Sequence, residues 1–139
     1  YQGKLLNELK KVGKKIAKAC NDLPLSLKSS NSTSLPNELG NFTSLTNLNL
    51  SWYLNLTSLL NKLNNVTSLT TFEIKQCSSL TSLPNELGNL ILLTSLNMSW
   101  CSSLKSLLKK INFTSLITLD MSSCSSLTSL PNKLCNLTS

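Results

Sequence analysis

The chain has 139 residues and a formal net charge of +7, from thirteen Lys and six acidic residues, and it contains neither Arg nor His. Because His is absent and the acids are scattered, the sequence offers no catalytic or metal-binding cluster, and we expect no enzyme, no cofactor and no metal. No apolar run exceeds four residues (90–93), which is too short to cross a membrane.

Residues 1–31 form the first predicted unit, an amphipathic helix at 4–20 followed by a short Pro-containing segment. Six Lys cover one face of the helix, which ends before Pro24 because Pro restricts the residue that precedes it. We expect this helix to cap the repeats that follow, since terminal repeats need a polar cover. Contact of residues 4–20 with an anionic membrane or a calmodulin-like groove is the less favoured alternative. No nucleic-acid partner is expected, because Arg is absent and aromatic residues do not alternate with the Lys run.

Residues 32–139 form the second predicted unit, a repeat of about 24 residues that follows the pattern L-x-x-L-x-L-x-x-N/C. No copy can bury its apolar face alone, so neighbouring copies must supply the core. The predicted fold is an α/β leucine-rich-repeat solenoid of about four to five repeats, with a parallel sheet on its concave face. Strands are predicted at 48–50, 72–74, 96–98 and 119–121. We call this repeat pattern the frame and number its positions from its first Leu, which is Leu45, Leu69, Leu93 and Leu116 in successive copies.

The opposite side of each repeat is predicted to hold one short helical turn, as in residues 35–41 and again in 83–89. Pro suits the first position of such a turn, and Gly suits a left-handed stop. Gly88 is therefore predicted to end the second of these turns. Residues 107–113 lack one residue of the frame and should be irregular.

Position nine of the frame carries a Cys in three successive repeats: Cys77, Cys101 and Cys124. A small buried thiol in the turn after the strand can donate to backbone groups between coils, so we predict a structural turn ladder. A metal or redox site is the alternative, but His is absent and no C-x-x-C pair occurs.

Positions three, five and seven are predicted to project from the concave face, with position eight at its rim. Tryptophan is a frequent binding hot spot, and charged residues can set specificity. We therefore predict a protein-binding patch, named here the concave patch, made of Trp52, Glu73, Lys75, Trp100 and Asp120. In the alternative, the two Trp fold back over the turn and shield the Cys ladder.

The repeat text at 96–107, together with Pro-Asn-Glu-Leu-Gly-Asn at 84–89, resembles the repeats of intracellular NB-ARC–LRR disease-resistance proteins of plants, in their TIR-bearing class. Residues 14–28 are similar to the end of that family's nucleotide-binding module, although Asp22 replaces the Gly of its G-L-P-L motif. The resemblance implies a cytoplasmic ligand-sensing or autoregulatory module in plant defence signalling, and places Pro24 near bound ADP. The phosphate-binding G-x-x-x-x-G-K-[ST] motif is absent, so the chain is similar to a truncated member without nucleotide chemistry.

An extracellular, glycosylated leucine-rich-repeat binding protein is the alternative function. Its support is a set of eight N-x-S/T sequons, although Asn-, Ser- and Thr-rich repeats also create sequons by composition alone. Unpaired Cys and the absence of paired-Cys flanking caps favour the cytoplasm. The sequons are at Asn31, Asn41, Asn49, Asn55, Asn65, Asn97, Asn112 and Asn136.

Overall fold

The computed structural model of the protein describes residues 33–35, 39, 43–59, 63–107 and 113–130. These residues contain one sheet of four parallel three-residue strands, arranged in the order of the sequence. The predicted unit 1–31, with its helix at 4–20, lies outside the described residues. The strands are β1 (Asn47–Asn49), β2 (Thr71–Glu73), β3 (Ser95–Asn97) and β4 (Thr118–Asp120).

The strands pair at equivalent frame positions, so each repeat adds one strand to the sheet. Leu48 pairs with Phe72, Phe72 with Leu96, and Leu96 with Leu119. This is a leucine-rich-repeat-like solenoid, and we number its coils 1 to 4 by their strands. Each strand starts and ends one residue earlier than the sequence predicts. The backbone ladder nevertheless continues past β1, since the Leu50 N–H donates to the Glu73 carbonyl at 2.7 Å.

The core lies behind the sheet and is almost wholly aliphatic. Leu48, Ile74 and Met98 are nearly inaccessible, as predicted, whereas Met121 is only partly buried. Met121 belongs to the last described coil, so no described coil covers its far side. A second ladder of bonds connects the coils beyond the turn, where the Thr57 N–H donates to the Thr33 carbonyl at 3.0 Å.

On the side opposite the sheet, residues Asn85–Asn89 form a short 3₁₀ helix, and no α-helix occurs in the part of the chain that the structure describes. The short helical turn predicted at 83–89 is therefore confirmed, but as a 3₁₀ helix, because the chain has only a few residues there before it must return to the next strand. Pro84 is the extended residue before the helix rather than its first position. Gly88 lies inside the helix without a positive φ, so the predicted left-handed stop is also wrong. No helix in the described part of the chain is long and apolar enough to cross a membrane.

Candidate functional site

A left-handed residue follows each strand at position eight, and none of these residues is glycine. In an L-residue this conformation costs about 1–2 kcal/mol, because the Cβ atom crowds the following carbonyl oxygen. Bonds between coils hold it in place: the Trp52 N–H donates to the Lys75 carbonyl and the Trp100 N–H to the Ser122 carbonyl, both at 2.8 Å. The sequence predicts a turn after the strand but not its left-handed residue, since no Gly marks it. The φ angles are 70° at Trp52, 57° at Gln76, 64° at Trp100 and 59° at Ser123.

The turn directs position nine into the core, where the three Cys form one bond each to the preceding coil. The Cys77 thiol donates to the Leu50 carbonyl at 3.2 Å and the Cys101 thiol to the Ile74 carbonyl at 3.0 Å. The Cys124 thiol donates to the Met98 carbonyl at 3.1 Å. These bonds satisfy the carbonyls of position six, to which the sheet ladder offers no donor on that side.

Burial makes these thiols poor nucleophiles. It raises the pKa of the Cys101 thiol to about 11, and it also raises the pKa of the Cys124 thiol. A neutral thiol is neither a metal ligand nor a nucleophile, because both roles need the thiolate. Among the described residues, no group of three His, Cys, Asp or Glu side chains could hold a metal ion.

Tyr53 occupies the Cys position in coil 1, and its ring is fully buried. Its hydroxyl is also buried and has no hydrogen-bond partner among the described residues. Tyr53 therefore fills the position that a Cys holds in the other coils, but its buried hydroxyl without a hydrogen bond destabilises the folded state.

Position five forms a row of amide and carboxyl groups across the sheet, one on each strand. An Asn and an acid alternate along it, and the amides donate to the acids of the next coil. The Asn49 side-chain N–H donates to Glu73 Oε2 at 3.4 Å, and that of Asn97 donates to Asp120 Oδ2 at 3.1 Å. The row thus presents two carboxylates, on coils 2 and 4, that are held by neighbouring amides.

The same row fixes the start of the turn in coils 1, 3 and 4, because its side-chain oxygens accept from the backbone two residues further on. Asn49 accepts from the Ser51 N–H at 2.9 Å, and Asp120 accepts from the Ser122 N–H at 2.9 Å. The bond from Ser122 lowers the pKa of Asp120, helped by the amide of Asn97. Asp120 therefore stays ionised at neutral pH while its side chain remains exposed.

Position seven does not project freely from the sheet in two of the four coils. Ser51 and Ser99 are buried, so the prediction that they face outward is wrong. Each is short enough to bond to its surroundings: the Ser51 hydroxyl accepts from the Lys75 N–H, and that of Ser99 donates to the Asn97 oxygen. Lys75 is longer, and its Nζ atom lies 3.3 Å from Glu73 Oε2.

The two Trp side chains at position eight are both largely exposed. Trp52 is 60% exposed and Trp100 is 58% exposed, while Cys77 and Cys101 are fully buried. Trp52 and Trp100 stand two coils apart at the same frame position, which separates their backbones by about 9.6 Å at normal strand spacing.

The structure thus places the five residues of the concave patch on one sheet face and its rim. Glu73 and Lys75 are in direct contact on coil 2. Trp52, Trp100 and Asp120 lie on coils 1, 3 and 4 respectively, and all three are exposed.

Three exposed apolar residues before β3 and β4 were not predicted: Ile91, Leu92 and Ile117 are each more than half exposed. Other coils carry Thr-Ser in place of Ile91 and Leu92, at 43–44, 67–68 and 114–115, and Thr in place of Ile117, at 46, 70 and 94. A comparison of the repeats position by position would have revealed these three substitutions.

No family model matches this sequence, and no curated protein matches it. Among solved structures, the chain is similar to a crystal structure of an internalin from Listeria monocytogenes, with 21% sequence identity and a TM-score of 0.19. The alignment covers 75% of this chain and 45% of that chain. The assignment of the fold rests on the parallel register of the strands and on the spacing of the buried residues.

Proposed function

We propose that this chain is a protein-binding module whose partner contacts the concave patch, and that it has no catalytic activity. The observation that carries the proposal is the pair of exposed indoles at left-handed positions. The turn does not need an indole, because Gln76 and Ser123 adopt the same conformation. Two large apolar side chains held in solvent by a rigid backbone are typical of binding hot spots.

The polar part of the patch supports a binding role rather than a chemical one. Its carboxylates and amides bond to one another and to the backbone of the turn. Burial raises the pKa of the neighbouring Cys101 thiol to about 11, so this thiol stays neutral. Fixed charges beside exposed indoles provide orientation and specificity to a partner.

The finer proposal is that the module belongs to a cytoplasmic immune receptor of plants, where its repeats sense a ligand or regulate the receptor. Its support is the resemblance of residues 96–107 and 84–89 to that family's repeats. The thiols of Cys101 and Cys124 form no disulfide, and such thiols persist in a reducing compartment, which supports the cytoplasm.

The test is affinity purification of the tagged full chain from plant cell extract, identification of the co-purifying protein, and measurement of its dissociation constant with the purified chain. Trp100→Ala should weaken that binding by about tenfold or more, with an unchanged melting temperature. Lys75→Ala should weaken it less, because exposed ion pairs contribute little.

Ile91→Ala is the matched control, since it removes an exposed apolar side chain away from the patch. It should leave both binding and melting temperature unchanged. A lower melting temperature for Trp100→Ala, with undiminished binding of the identified protein, would show that the patch is structural.

The second candidate is a secreted, glycosylated binding protein. Asn65 favours it, because this sequon lies exposed in the turn after Leu63 and its Thr67 is exposed as well. The sequons at Asn49 and Asn97 are less suited, since both side chains are bonded within the position-five row. Half of the eight sequons (31, 41, 112 and 136) lie outside the described residues. Glycan at Asn65 after expression in plant cells, lost in Asn65→Gln, would favour secretion over the cytoplasm.

A further inference from the structure

The fold fixes the distance between the backbones of Trp52 and Trp100. This distance therefore limits which ligands can contact both side chains. The register of the sheet continues to position eight, where the N–H groups of Trp52, Gln76 and Trp100 all donate to the next coil at 2.8–2.9 Å. Two strand spacings make the separation of the two indole-bearing backbones about 9.6 Å.

A ligand that contacts both indoles with one face must repeat its side chains over that distance. A polyproline II segment has three residues per turn and rises about 3.1 Å per residue, so its side chains at i and i+3 share a face about 9.3 Å apart. In an extended strand, side chains on one face repeat after about 6.6–6.8 Å. In an α-helix, successive turns repeat after about 5.4 Å. The polyproline II period fits the two indoles best.

The charge of the adjoining row adds a second constraint on the ligand. Asp120 lies one coil beyond Trp100, is exposed and is held ionised by the Ser122 N–H and the Asn97 amide. The carboxylate of Glu73 is already paired with Lys75. Among the described residues Asp120 forms no ion pair, although Lys75 also acts on it at longer range, so the carboxylate left for a ligand lies at the coil 4 end.

We propose that the sheet face binds a proline-rich segment in the polyproline II conformation, which lies across the strands. Prolines three residues apart contact Trp52 and Trp100, and a basic residue beyond the second proline reaches Asp120. This inference rests on the proposed function and specifies the class of partner. Proline rings suit indole faces, and a preformed polyproline II segment loses little entropy when it binds.

The test uses a synthetic peptide of about twelve residues with proline at every third position, alanine between, and one Arg at the end. Both Trp of the chain lie in the patch, so intrinsic fluorescence reports binding directly. Saturable binding is expected, and a peptide of the same composition with its prolines moved out of the three-residue period should bind about tenfold or more weakly. A second peptide ends in Glu instead of Arg. Asp120→Asn should weaken binding of the Arg-ended peptide about threefold and should not weaken binding of the Glu-ended peptide.

The sharpest variant moves one indole by a single coil. The double change Gln76→Trp with Trp100→Ser keeps two indoles at position eight but halves their separation to about 4.8 Å. It should lose the preference for the three-residue proline period, while circular dichroism and melting temperature stay unchanged. Trp100→Ser alone controls for the loss of one indole.

The outcomes separate this inference from the proposed function. In one outcome, the periodic peptide binds no better than the rearranged one while binding of the purified partner still depends on Trp100. That result overturns the ligand class only. Equal binding of the peptide to the wild-type chain and to the double variant also overturns it. Loss of Trp100 dependence for the purified partner, by contrast, overturns the proposed function.

Discussion

Tyr53 shows how one residue can depart from the repeat at a measurable cost. Its ring fills the Cys position of coil 1, but its buried hydroxyl has no partner among the described residues. We expect Tyr53→Phe to leave the free energy of unfolding unchanged or to raise it by about 1 kcal/mol, because it removes an unsatisfied polar group. Urea denaturation measures this, with Tyr53→Ala as the control that should lose about 3–5 kcal/mol. A clear loss in Tyr53→Phe would contradict the absence of a partner.

Cys101 makes the stability of the fold depend on alkaline pH. Burial raises the pKa of its thiol from the ordinary value of 9.0 to about 11. As the pH rises, the thiol of the unfolded chain loses its proton first, which favours unfolding. The Cys101 contribution to the free energy of unfolding should therefore be constant below about pH 9 and fall between about pH 9 and 11.

The control is Cys101→Ser, whose hydroxyl keeps a donor for the Ile74 carbonyl but does not titrate in this range. The difference in unfolding free energy between the two proteins, measured in denaturant from pH 7 to 11, isolates the Cys101 contribution. An identical pH profile for both proteins would argue against a buried, proton-retaining thiol.

At the scale of the element, a three-residue strand is stabilised by the buried residue at its centre. Leu96 is 1% exposed and pairs with Phe72 and Leu119 on the flanking strands. Leu96→Ala should lower the free energy of unfolding by about 2–5 kcal/mol, as truncation of a buried Leu does. Leu92→Ala is the matched control, because this Leu is 51% exposed only four residues earlier. Similar losses in the two variants, measured by denaturant titration, would show that the register is wrong.

The sequence predicts the elements that repeat and misses those that depend on backbone geometry. The parallel register and the burial of Leu48, Ile74 and Met98 follow from the 24-residue spacing of apolar residues, since the strand period fixes which side chains turn inward. The left-handed residue at position eight could not be predicted from Trp100, because tryptophan carries no preference for positive φ. The burial of Ser99 depends on its bond to Asn97, which no hydropathy pattern contains.

At the scale of the whole molecule, two bonds recur at every boundary between described coils: the backbone bond at position eight and the thiol bond at position nine. The position-five side chains add a bond between coils 1 and 2 and between coils 3 and 4. Each of these bonds connects a coil to its neighbour only. Nearest-neighbour contacts of this kind make the stability of a solenoid close to a sum over its coils and their boundaries. The outer surface of each coil is therefore free to differ, as Ile91, Leu92 and Ile117 do, without disturbing the core.

The two bonds that recur at every boundary also determine how such a chain can change its length. A duplication or deletion of 24 residues adds or removes one coil and rebuilds the position-eight and position-nine bonds at the new junction. The distance between Trp52 and Trp100 would then change in steps of about 4.8 Å and take no intermediate value. Unequal crossing-over within the gene could thus alter the surface of the protein in discrete increments, leaving each coil's own sequence intact.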